Sequence, residues 1–190
     1  MQLRGIAVLL LLLLLGEITS GCVQKESSKL PDAGSTAPSF LLESTRGDKV
    51  DNQTYTGKHV LLAFLGADSH DPQLDAPSRA QVNQLKSVQL QYGVRGMQSV
   101  IIGEPSAGAS AAQSREAWTN FEYDWRLAPI PVLVDEGSKV RLDYGARQLP
   151  HLFLLDEKGD VVQQWRGLQP SHVLAQALEM RLGAPEFRQP

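Results

Sequence analysis

Chemistry-bearing side chains crowd one short stretch: Asp68, Ser69, His70 and Asp71, closed by Pro72. Ser69, His70 and Asp71 are the three residue types of a hydrolase triad. Consecutive residues do not stack as nucleophile, base and orienting acid, however, and the glycine-flanked turn that exposes a catalytic serine is missing. Asp68, His70 and Asp71 are also metal-ligand types, and with His151 they would offer imidazoles and carboxylate to zinc or copper. The remaining chemistry is sulfur. The chain of 190 residues has one cysteine, Cys22, and a thiolate is what thiol–disulfide exchange and peroxide reduction need. Plainer roles compete at every position. Asp71 followed by Pro72 reads as an N-cap with proline at the first helical position, and the Ser69 hydroxyl reads as a further cap.

The elements that must hold this stretch are legible from periodicity. Pro38–Leu42 and Arg46–Val50 read as two short strands joined at Gly47. His59–Gly66 is an apolar run of strand length, suited to a central strand buried on both faces. A helix is predicted from about Asp71 to Tyr92, kinked in its second turn by Pro77 and stopped by Gly93. Met97–Gly103 and Pro131–Asp135 read as strands, with a helix carrying Ala117, Trp118 and Phe121 between them. Val140–Tyr144 reads as a short helical piece. Leu152–Asp156 and Val161–Trp165 form a hairpin, followed by a helix over Pro170–Leu182 that ends at Gly183. Trp118, Trp125 and Trp165 read as packing residues, Asp135 and Asp156 as caps or turn residues, Arg147 as a solvated charge, and His59 and His172 as surface or strand-edge residues.

The N-terminus is an address. Met1–Arg4 supply a positive start, and Ile6–Leu15 form an apolar run of about ten residues, too short to span a bilayer. Ser20-Gly21 directly before Cys22 resembles a bacterial lipoprotein signal, which implies acylation of Cys22. The alternative is ordinary cleavage nearby, leaving a free thiol. Val23, in place of aspartate, favours the outer membrane by resemblance to bacterial sorting rules. The expected organisation is a signal peptide at 1–21, lipidated Cys22 and a flexible tether at 22–37, one domain at 38–183 and a tail at 184–190. Net charge is −3 with no basic stripe, which argues against nucleic acid as a partner.

Ala37–Leu42, Val60–Gly66 and Tyr144–Asp156 leading to Gly159, in this order and spacing, resemble the thioredoxin-like superfamily. The match is to its redoxin branch (alkyl hydroperoxide reductase/thiol-specific antioxidant) and to membrane-tethered thiol–disulfide oxidoreductases. The resemblance implies an α/β thioredoxin-like fold: a central mixed β-sheet flanked by helices, with an N-terminal β-hairpin extension. It also implies that Ser69 and Pro72 stand where the family carries Cys-x-x-Cys, and that Pro150 is a cis-proline facing that loop. Ser69, His70, Asp71, Leu149 and Pro150 then outline a binding groove, and the loop Ser69–Pro72 is a degenerate active site.

Three functions follow as expectations. The first is a lipid-anchored, periplasm-facing module of the cell envelope that binds an envelope protein or extended peptide without catalysis. The second is an antioxidant or thiol–disulfide oxidoreductase, as the resemblance implies. The third is a metal carrier through His70, Asp71 and His151. No cofactor is implied by the first two.

Overall fold

The computed structural model describes residues 30–67 and 75–183. A seven-stranded mixed sheet runs in the order β2-β1-β5-β4-β3-β6-β7. Its first two strands, β1 (Leu41–Ser44) and β2 (Lys49–Asp51), form the expected hairpin, with Leu42 opposite Val50 and Gly47 at φ 91° in the turn. The hairpin is joined to the sheet, because β1 also pairs antiparallel with β5 (Val132–Val134).

At the centre is β3 (His59–Leu65), buried at all seven positions and parallel to β4 (Met97–Gly103). Alternation sends Leu61, Ala63 and Leu65 into one core, beneath helices α1 (Ala76–Tyr92), α2 (Ala111–Asp124) and α4 (Ser171–Leu182). Val60, Leu62 and Phe64 enter a second core with Phe40, Leu133, Tyr144 and Phe153. Each large aliphatic or aromatic side chain so buried contributes roughly 1.5–3 kcal/mol, so this one strand ties both layers together. On its other side β3 pairs antiparallel with β6 (His151–Leu155), which continues into β7 (Val161–Arg166). The short helix α3 (Lys139–Asp143) lies where a helical piece was expected.

Four expectations are corrected. Helix α1 begins at Ala76 and its N-cap is Asp75, not Asp71: the Asp75 carboxylate accepts the Ser78 N–H at 2.7 Å. Pro77 therefore sits in the first turn, where its missing N–H breaks no helical bond, and it has no reason to kink the helix. Gly93 does not stop the helix either. It stays right-handed at φ −57° and leads into a 3-10 turn, and the left-handed stop is Gly96 at φ 90°. His59 is not on the surface; it is 7% exposed, with Nδ1 3.8 Å from the Glu157 carboxylate. Finally, residues 31–37, assigned by their polarity to the tether, are laid along β7 by backbone bonds that need no apolar side chains. Gly34 donates to Val161 O (2.7 Å), Val161 to Ser35 O (2.8 Å) and Ala37 to Gly159 O (3.1 Å).

The tryptophans pack as expected. Trp118 is buried, and Trp125 and Trp165 lie against the first core. His172 is exposed. Asp135 caps α3 by accepting the Arg141 N–H at 2.8 Å, and Asp156 accepts from Lys158 and Asp160 in the hairpin turn. The Trp118 indole lies flat against Gly103 and donates to the Glu104 carbonyl at 3.0 Å, and a Cβ on Gly103 would overlap the ring. Gly103→Ala is therefore expected to lower unfolding stability by about 2 kcal/mol, read as a lower urea midpoint at unchanged slope.

Candidate functional site

The carboxyl end of β3 is where the described parts of the site converge. Gly66, the first residue past the strand, donates its N–H to the buried Ser78 hydroxyl at 3.0 Å and accepts the Asp75 N–H at 3.3 Å. The Asp75 carboxylate and the Leu149 side chain close over Gly66 so tightly that a Cβ there would lie 2.8 Å from Asp75 Oδ2 and 3.3 Å from Leu149 Cδ1. Only glycine admits this approach. Leu149 leads into Pro150 through a cis peptide bond, as the resemblance implied; a second cis bond, Ala128–Pro129, had no forewarning. The Pro150 carbonyl accepts the Gly167 N–H at 2.8 Å, so the β7–α4 connection stands beside the proline and presents Leu168, 45% exposed.

Of the residues singled out in the sequence, Leu149 (half-buried), Pro150 (buried) and His151 are thus brought to one place. Asp68, Ser69, His70, Asp71 and Pro72 lie outside the described residues, as does Cys22. Asp75, Ser78, Gly167 and Leu168 went unnoticed. For Asp75 and Ser78 a signal existed, since Asp75-Ala76-Pro77-Ser78 is itself a cap followed by proline in the first turn.

His151 opens β6 and is 1% exposed. Its ring stacks on Phe153, centroids 4.7 Å apart and 5° from parallel, and Nε2 lies 3.1 Å from Gln164 Oε1. Gln164 uses its amide nitrogen to donate to the Pro31 carbonyl at 3.2 Å. Its oxygen therefore faces the imidazole, and Nε2 carries the proton. Nδ1 is left as a bare, buried lone pair without a partner among the described residues. Burial pushes the His151 pKa below the ordinary imidazole value; the Gln164 bond opposes that and Arg166 adds to it. As a ligand His151 offers one nitrogen, and no group of three or more His, Cys, Asp or Glu residues that could hold a metal occurs among the described residues.

Beside Gly66 on the sheet, Glu104 donates its N–H to Leu65 O at 3.0 Å. Its buried carboxylate accepts from the Ser138 hydroxyl and from Arg141 Nε at 2.8 Å, leaving Oε1 unpartnered. Burial raises the pKa of both Glu104 and Asp135, against the pull of Arg141. This cluster locks the end of β4 to α3, which leads into the cis-proline loop.

A carboxyl whose folded pKa is raised favours the fold when protonated. Its contribution is complete below the unfolded value of about 4 and fades as pH rises. For His151, whose folded pKa is lowered, the sign reverses: its contribution is full above the unfolded value of about 6.5 and is lost as pH falls through the folded value. Comparing wild type with His151→Gln cancels the carboxylates. Between pH 7.5 and 5 the wild type is expected to lose stability more steeply than the variant in urea titrations; equal slopes would contradict a buried neutral imidazole.

Comparison with known proteins fits this geometry. The sequence profile of the Redoxin family matches residues 32–178. The chain is 27% identical over 176 residues to the thiol-disulfide oxidoreductase ResA of Bacillus cereus, covering 90% of this chain and 92% of that protein. Among solved structures, a DsbE-like thiol:disulfide interchange protein from Chlorobium tepidum superimposes with a TM-score of 0.65 at 27% identity, over 80% of this chain and 99% of that one. The exposed lipoprotein thioredoxin of Streptococcus pneumoniae shares the fold, with a TM-score of 0.61 at 23% identity over 75% of this chain and 99% of that one.

Proposed function

The chain belongs to the Redoxin family, and from that premise we propose that it is a lipid-anchored envelope protein whose thioredoxin-like domain binds extended polypeptide without catalysing thiol exchange. The observation that carries this reading is that the cis-proline platform is present while the domain has no cysteine. Cys22, the one thiol in the sequence, precedes the matched region and is assigned to the lipid. Ser69 and Pro72, at the family's two cysteine positions, cannot form a disulfide or pass through a sulfenic acid.

Binding needs no sulfur. An extended chain adds to a thioredoxin-like site as a short strand, through backbone bonds beside the cis-proline and side-chain contacts on either flank. Here Leu149 and Leu168 supply apolar flanks, and Ser69, His70 and Asp71 complete the groove. Acylation at Cys22, with Ser20-Gly21 before it, supports an anchor facing the periplasm; the lipoprotein named among the structural neighbours points the same way. An oxidoreductase reading is favoured by the names of the relatives, and it requires thiols from Cys22 or from a partner.

Residues 23–190 alone are expected to give no insulin-disulfide reduction and no hydroperoxide turnover above buffer; robust turnover by either assay would overturn the reading. The same fragment is expected to bind an unfolded, cysteine-free polypeptide. Leu168→Asp is expected to weaken that binding about tenfold, or about 1.4 kcal/mol, by placing a charge on the groove's flank. Equal affinity in the variant would remove the groove from the account.

A further inference from the structure

The point at which the chain enters the domain is fixed, and it lies at the site end. Pro31 is held by Gln164, Gly34 and Ser35 by Val161, and Thr36 forms an antiparallel bridge with Asp160. Residues 31–36 therefore descend alongside β7 from the level of Gln164 to the hairpin turn. Strand β7 climbs the opposite way and delivers Arg166, Gly167 and Leu168 to the cis-proline. Followed backwards, the described chain points toward the groove, and at Pro31 it is linked through Gln164 to His151, the residue after Pro150. The opposite pole carries Val94, 93% exposed, in the turn that feeds the start of β4.

Residues 23–29 are all that separates Cys22 from Leu30. Fully extended, that stretch reaches at most about 25 Å. A domain of this size has a radius of gyration of about 15 Å and hence a width of about 40 Å. The tether is shorter than the domain, so the domain cannot turn its far pole to a bilayer that holds Cys22.

From this we propose that the groove faces the membrane, and that its partner is an extended juxtamembrane segment of a membrane-held polypeptide, not a chain free in solution. This rests on the lipid-anchored binding reading above and adds to it an orientation and a partner class. The device is geometric: entry beside the groove, on a leash too short to allow inversion.

The test uses the full-length acylated protein in phosphatidylethanolamine/phosphatidylglycerol vesicles containing a headgroup-borne quencher. A fluorophore is attached at Leu168→Cys or, in a second preparation, at Val94→Cys. Loss of fluorescence at 168 with retention at 94 is expected. Inserting about 20 glycine and serine residues after Ser28, a coil spanning about 25 Å, is expected to bring quenching at the two positions together. Protein that floats with the vesicles but quenches equally at both positions, or more at 94, overturns the orientation alone. Protein that fails to float removes the anchor, and the orientation falls with it.

Discussion

Gly66 is the point on which the site depends. A strand end, a helix start and a cis-proline loop meet there with no room for a side chain between the Asp75 carboxylate and Leu149. Because Gly66 also binds Ser78 and Asp75 through its own backbone, the helix cap and the strand cannot shift independently. Leu149 is pressed onto the same spot, which sets where Pro150 stands, and the Gly167 bond to Pro150 then places Leu168. One missing methyl group thus fixes the relative positions of all the described groove residues.

Much of this architecture is written in local sequence. Seven consecutive buried positions in β3 follow from an apolar run with no polar alternation, and the hairpins follow from glycine turns between short β-rich runs. The start of α1 was misplaced for a local reason. Asp71-Pro72 and Asp75-Ala76-Pro77 both look like a cap followed by proline, and only the packing of Ser78 and Asp75 against Gly66 decides between them. The placement of residues 31–37 was missed because it rests on backbone pairing with β7 more than 120 positions away, which composition does not encode. His151 was flagged as a possible ligand from its type alone. Its burial, stacking and tautomer come from Phe153, Gln164 and Pro31, and the last of these is linked to it only through the fold.

The functional account joins two facts of different kinds. The fold retains the features that let a thioredoxin-like site receive an extended chain: a cis-proline, a backbone-anchored neighbouring loop and apolar flanks. The sequence withholds the one atom type that would turn such a site into a redox catalyst. The chemistry left at the strand ends is that of buried carboxylates and a neutral imidazole. Glu104, Asp135 and Arg141 hold α3, while His151 and Gln164 hold the incoming chain. In this account both sets shape the groove, and neither supplies a nucleophile.

The most direct measurement is to return the sulfur. The Ser69→Cys/Pro72→Cys double variant of residues 23–190, assayed for insulin-disulfide reduction beside the unaltered fragment, isolates that single loss. The account predicts that the variant gains turnover while the unaltered fragment stays at the buffer rate. Turnover by the unaltered fragment, or a folded variant as inert as its parent, would contradict a groove that lacks only its thiols.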